Sequence, residues 1–391
     1  MSRLIIGRLV RMRLPGGVIR CVMAALLTLS AAACSAAPEP RFEPTWVKFL
    51  SDSEGWTGGY WVNCADCPRL MHTKDGGRSW QSVADPPAGW RAPVFADARN
   101  WFVINKVEQW QTDAPAMWST HDGGATWARV DLPAGVGTAR WADPVIGNGT
   151  VQMPVLDVAT GQARMLSSSV AADEFTLSQP FPFDIMLSST TGIDVDAVRA
   201  GSVTWLAVAG IATPGPAAGA RFVDGEWTPW PMPISSARNP ELVAISATEL
   251  IASAGPKGLP ESNRLYLSTD SGDTYTDIGP LTPNRVPAKL IAAATTKDLV
   301  MMAATGETRA PYAVQTSHDG GHTWATTLSP PGAAVPHSAA YIGGSGEFFT
   351  PTVGFVAVPF QRESDLSHRL FLTRDGGDTW AEFVVDRGSV R

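Results

Sequence analysis

An eight-residue string recurs along this chain and limits what it can fold into. Thr73-Lys74-Asp75-Gly76-Gly77-Arg78-Ser79-Trp80 is one copy, and residues 120–127, 268–275, 317–324 and 373–380 are four more. In all five, Ser or Thr stands two before an Asp, Gly two after it, Ser or Thr four after and an aromatic five after. The Asp residues fall at 75, 122, 270, 319 and 375, a step of about 49 except between 122 and 270, where three steps fit. Two weakened units fill that gap. Phe222-Val223-Asp224-Gly225-Glu226-Trp227 keeps Asp-Gly and the aromatic, and residues 168–175 keep Asp173 and Phe175. Seven units then cover residues 45–386. A repeat of this length overrides the two or three domains that 391 residues would otherwise suggest.

Short apolar segments, β-branched and aromatic, precede each copy. Gly, Pro, Asn or Asp bounds them, which argues for strands and against helices. In the first unit they are residues 47–50, 55–61 and 70–72; in the third, Val145-Ile146 meets residues 151–155 across Asn148-Gly149, a strong hairpin signal. Four antiparallel strands per unit predict an all-β, seven-bladed β-propeller. Each unit carries its own four strands, so no strand exchange across the ring closure is expected, although residues 41–46 are free to pair with the last blade.

The repeated string suits a turn between the third and fourth strands. Asp accepts backbone N–H bonds, Gly allows positive φ, hydroxyls close the turn, and the aromatic packs between blades. Asp75, Asp122, Asp270, Asp319 and Asp375 are therefore read as structural. They fall one per blade and form no catalytic pair.

The N-terminus is set apart. Arg3, Arg8, Arg11, Arg13 and Arg20 stand with no acid among residues 1–33, and residues 21–33 are apolar. That run is too short to span a bilayer and has the size of a secretory core; Met12 is as suitable a start as Met1. Removing residues 1–33 leaves 25 Lys and Arg against 37 Asp and Glu, a net charge of −12. Such an acidic body argues against nucleic acid as a partner. In an exported chain, Cys64 and Cys67 of Asn63-Cys64-Ala65-Asp66-Cys67-Pro68 are most simply a disulfide. A redox pair would want a helix N-terminus, and zinc would want two more ligands, with His72 alone nearby. No cofactor motif is present, and calcium is conceivable only at acidic loops such as Glu363-Ser364-Asp365.

Leu29-Ser30-Ala31-Ala32-Ala33-Cys34 resembles a bacterial lipoprotein signal, with Ala31 where that family usually has Leu. The resemblance implies cleavage before Cys34, acylation of its thiol, and anchoring on the extracytoplasmic side of a membrane. Acyl chains contribute about 0.8 kcal/mol per buried CH₂. The expected organisation is a signal at 1–33, a tether at 34–44 and a single, monomeric propeller at 45–391.

The repeated string is that of the Asp-box, or BNR, repeat family. Sialidases in that family imply a glycoside hydrolase with an arginine triad, a Tyr/Glu nucleophile pair and an Asp acid. Their early Arg-Ile-Pro motif is missing here, since residues 45–74 contain only Arg69, and Arg91-Ala92-Pro93 and Arg285-Val286-Pro287 echo it in the wrong blades. The photosystem II assembly-factor-like propellers, which this blade pattern also resembles, imply a non-catalytic binding platform. Arg91, Arg140, Arg238 and Arg285 each fall just before a first strand, at the channel mouth opposite the repeated turns. Together with His337 and the loop residues Trp90, Trp110 and Trp141 they are the candidate site for an anionic group. The expectation is a binding or scaffold protein for a protein or envelope-glycan ligand; the alternative is a sialidase-like hydrolase acting on an anionic sugar.

Overall fold

A computed structural model describes residues 40–385 except 65–66, 88–91, 105–115, 139–143, 158–159, 161, 183–192, 211–217, 234–240, 256–261, 283–285, 306–310, 332, 334–343 and 363–364. Arg41–Arg391 form one compact unit. It is a seven-bladed β-propeller whose blades are four-stranded antiparallel sheets. Blade 1 comprises Arg41–Phe49, Gly55–Val62, Leu70–Thr73 and Gln81–Val83; blade 7 comprises Ser345–Phe348, Gly354–Arg362, Asp365–Thr373 and Ala381–Glu382. The first strands of blades 2 to 6 are Val94–Phe95, Val145–Gly147, Ile193–Ala200, Glu241–Ala244 and Ala288–Ala293. In blade 3 an extra strand, Val136–Thr138, pairs beside Val145–Gly147 on the same neighbour.

The first strand begins at Arg41, inside the stretch expected to be tether. Phe42 is only 2% exposed and sits edge-on to Trp61 at 5.3 Å, so residues 41–44 gain burial by joining the sheet. They pair with Gly59–Val62 of their own blade and not with blade 7. Every blade is made of consecutive strands, so the ring closes by side chains. Phe42, Val47, Phe49 and Trp80 of blade 1 pack with Phe355, Leu370, Phe383 and Val385 of blade 7.

The core lies between blades, not at the axis. Second strands are covered on both faces, which is why Leu299–Ala304 reads as an unbroken apolar run and why it and Leu250–Ala254, apolar but for Ser253, are buried throughout. One aromatic per blade reaches back onto the preceding blade. Trp80 packs against blade 7, Trp127 against blade 1, Tyr275 against blade 4, Trp324 against blade 5 and Trp380 against blade 6. Phe175 does the same against Phe102 of blade 2, ring centres 6.1 Å apart, and Trp227 against Phe181, 4.9 Å apart. Both weakened units thus keep the aromatic while losing the turn. Blade 4 replaces its turn by a two-residue hairpin, with Asp224 at φ 53° and Gly225 at φ 90° between paired Val223 and Glu226.

Glycine in the repeated turn is required twice over. Gly124 has φ +85°, and a Cβ there would lie 2.5 Å from the buried Trp101 ring. Gly149, in the hairpin of blade 3, has φ +67° and nothing within 4 Å of such a Cβ. Gly149→Ala should therefore cost about 1–2 kcal/mol of left-handed strain, and Gly124→Ala roughly 1–3 kcal/mol more through overpacking. Urea denaturation followed by tryptophan fluorescence checks the order, and equal losses would refute the packing argument.

Candidate functional site

The repeated turns make the same bonds in every intact copy. In the first, the Thr73 hydroxyl donates to Asp75 Oδ1 at 2.9 Å and accepts the Gly77 N–H at 2.8 Å; Ser79 donates its N–H to Oδ1 at 2.8 Å and its hydroxyl to Oδ2 at 2.6 Å. The same four bonds recur around Asp122, Asp270, Asp319 and Asp375. The N–H of the residue after each Asp donates to the hairpin joining strands one and two: Gly76 to Ser53, Gly123 to Arg99, Ser271 to Thr248, Gly320 to Lys297 and Gly376 to Thr352. Turns and first hairpins therefore share one face.

These donors hold the carboxyls ionised. Asp75, Asp122, Asp270 and Asp319 are lowered to about 2, chiefly by the hydroxyls of Ser79, Thr126, Thr274 and Thr323 and then by backbone N–H groups. Burial opposes the shift at Asp375, but the bonds from Thr379 and Thr373 still bring it below the ordinary value. A carboxyl with a pKa near 2 holds no proton to give at neutral pH, so these groups are turn acceptors and not general acids.

The turns also reach forward. Arg374 Nη2 donates to the Gly76 carbonyl of blade 1 at 2.7 Å. His318 bridges Asp298 of its own blade at 2.8 Å and Asp378 of blade 7 at 3.0 Å. Asp173, in the weakened unit of blade 3, accepts from Ser119 of blade 2 at 2.7 Å, with His121 Nε2 3.4 Å from its other oxygen but off line for a hydrogen bond. Blade 4 has no such turn, and its Arg221 instead grips Asp273 and the Ser271 carbonyl of blade 5, each at 2.8 Å.

The central channel holds a cavity of about 510 Å³ at this same face, lined by the first strands of all seven blades. That volume lies within the range of small-ligand sites, about 300–1,000 Å³. The next-to-last residue of each first strand lines it: Lys48, Val94, Ile146, Arg199, Val243, Ala292 and Glu347. Three carry charge. Lys48 and Glu347 form an ion pair across the closure between blades 1 and 7. Arg199 stands alone; its Nε and Nη1 are sealed from solvent with no partner among the described residues, and burial lowers its pKa. Nothing local in the sequence marks these three, because a single charge in an apolar strand looks like a surface residue. Aligning the repeats on their first hairpins would have placed them at one level.

Arg91, Arg140, Arg238, Arg285, His337, Trp90, Trp110 and Trp141 lie outside the described residues, as do Cys34, Tyr341, Glu363 and Ser364. Asp85 accepts the N–H groups of Arg69 and Leu70 and lies 3.4 Å from the Arg69 guanidinium. Cys64 and Cys67 are bonded to each other, Cα atoms 5.5 Å apart, and close the loop between strands two and three of blade 1. Tyr60 donates to Glu43 at 2.6 Å, Tyr312 is buried, and burial pushes the phenols of Tyr266 and Tyr275 up.

No family model and no curated protein matches the chain. Solved structures do. A prolyl endopeptidase is similar at 14% identity and a TM-score of 0.60 over 93% of this chain, which spans only 53% of that enzyme. An ulvan lyase of a polysaccharide lyase family, bound to a glucuronate–sulfated rhamnose oligosaccharide, is similar at 12% identity and a TM-score of 0.53, covering 89% of this chain and 97% of that one. YCF48 bound to a D1 peptide matches at 16% identity and a TM-score of 0.48, covering 88% and 98%. At these identities what is shared is the propeller fold.

Stability should bend at both ends of the pH scale. The Asp pKa values lie below the ordinary 3.8, so their contribution is present above pH 3.8 and is lost as pH falls from there toward 2. Bonds from Asp298 and then Asp378 raise His318 above 6.5, so its contribution is full below pH 6.5 and is lost as pH climbs through the raised value. Thermal unfolding across pH should show both limbs. His318→Asn should flatten the upper limb and leave the acid limb in place; an unchanged upper limb would rule out the His318 bridge as its source.

Proposed function

We propose that this chain is a membrane-anchored, extracytoplasmic propeller that binds a protein or envelope-glycan ligand without transforming it. One observation carries the reading. The five turn aspartates are committed to their turns, and Glu347, the carboxylate on the channel wall, is committed to Lys48. What the channel presents instead is a ligand-sized cavity with an uncommitted cation. The Arg-rich loops at the opposite mouth would extend the binding surface. Anchoring rests on the signal-like residues 1–33 and on Cys34.

A second reading has one observation in its favour. Tyr60 and Glu43 are in contact, and Arg41 pairs with the same carboxylate, so a phenol, a carboxylate and a guanidinium meet as a sialidase-like hydrolase would need. Tyr60 and Glu43 are direct cross-strand partners, however, and Arg41 stands two residues from Glu43 on the same strand, positions that bring any such groups together.

Fractionation and assay separate the readings. In a bacterial host the full chain should sediment with membranes and Cys34→Ser should appear in the soluble extracytoplasmic fraction; equal membrane retention of the variant would refute the lipid anchor. The purified protein should leave fluorogenic sialosides, aryl glycosides and uronate polysaccharides intact. Turnover that Tyr60→Phe abolishes would establish the hydrolase instead. Capture from solubilised envelopes, with and without Arg91, Arg140, Arg238 and Arg285, identifies the ligand.

A further inference from the structure

The cation in the channel has a geometry of its own. Arg199 is the next-to-last residue of its strand, and its stem crosses to blade 3. A Cβ built on Gly147 would lie 2.4 Å from Arg199 Nε and 2.8 Å from Cδ, so glycine at that position leaves the room the guanidinium occupies. With Nε and Nη1 sealed, Nη2 is the atom through which the guanidinium meets the cavity. A half-buried cation without a counter-charge is costly, because hydration is lost and nothing replaces it. The other charges on the cavity wall are satisfied, Lys48 by Glu347. Val94, Ile146, Val243 and Ala292 supply the apolar side chains at the level of Arg199, in a wall whose surface is otherwise mostly polar.

We propose that the channel cavity binds a small organic oxyanion, with its carboxylate on Arg199 and its apolar body against the β-branched wall. The carboxylate supplies the counter-charge that the described residues do not, and a guanidinium–carboxylate bond in a partly desolvated site is stronger than its exposed counterpart. Glu347, held by Lys48 and 46% exposed, stands at the solvent-reaching part of the wall and disfavours a second negative group there. The ligand is therefore a monoanion with one apolar end. The proposal rests on the reading of the channel as a binding cavity. The fractionation, capture and turnover experiments do not probe it, so each can fail alone.

Titration calorimetry on the full chain at fixed ionic strength tests this, with benzoate, the neutral isostere benzamide and inorganic phosphate as probes. Benzoate should bind, benzamide should not, and phosphate should bind more weakly than benzoate because it leaves the apolar wall uncovered. Arg199→Gln should lower benzoate affinity at least about tenfold, the scale of one charge-assisted hydrogen bond. Gly147→Ala, which keeps the arginine but occupies its place, should weaken benzoate in the same direction. It serves as the second variant should Arg199→Gln fail to fold, which circular dichroism would show. No binding of benzoate by the wild type, equal binding of benzoate and benzamide, or benzoate affinity unchanged in both variants would each overturn the proposal.

Discussion

One carboxylate per turn organises this molecule. In each intact copy an aspartate accepts two hydroxyls and a backbone N–H, which leaves the next residue's N–H free to seize the neighbouring hairpin. That turn fixes the exit direction of the chain, and the exit direction throws an aromatic side chain back onto the preceding blade. Sheet, turn and inter-blade core are in this way consequences of a bond set a few ångströms across. The two blades that lost it show which part is indispensable. Phe175 and Trp227 keep the aromatic contact, while Asp224-Gly225 substitutes a minimal hairpin and Asp173 turns outward to blade 2. Packing between blades tolerates no substitute; turn chemistry does.

Most of the architecture was legible in the sequence because its signals are local and repeated. Spacing of the Asp residues counts blades, and aromatic positions name the interfaces, down to the weakened units. The N-terminal limit of the first sheet was not legible. Arg41 and Glu43 look like polar tether, and only burial of Phe42 between them draws the segment into the sheet. The channel ring escaped for a different reason. Lys48, Arg199 and Glu347 sit in three blades about 150 residues apart, and nothing local says that they share a level; that is a property of the closed ring.

The face first set aside as structural therefore carries a cavity. Its turns and its channel mouth are built from adjacent parts of the same blades, so the rigidity of the one is lent to the other. Arg91, Arg140, Arg238 and Arg285, expected at the other mouth, lie outside the described residues, and the two ends need not serve one ligand. In an acidic body the field outside repels anions of every size, so any selection among them rests on the guanidinium and the shape of the channel.

The backward direction of the aromatics has a consequence for biogenesis. As the chain is made from its N-terminus, each new blade brings an aromatic whose receiving surface already exists, so blades can dock in the order of synthesis. Blade 1 is the exception. Trp80, fully buried in the finished ring, is held among residues of blade 7, which leave the ribosome last. Until then a large indole has no cover. The first-made blade is thus the last to be completed, and the unclosed ring with its bare tryptophan is the species that chaperones would meet.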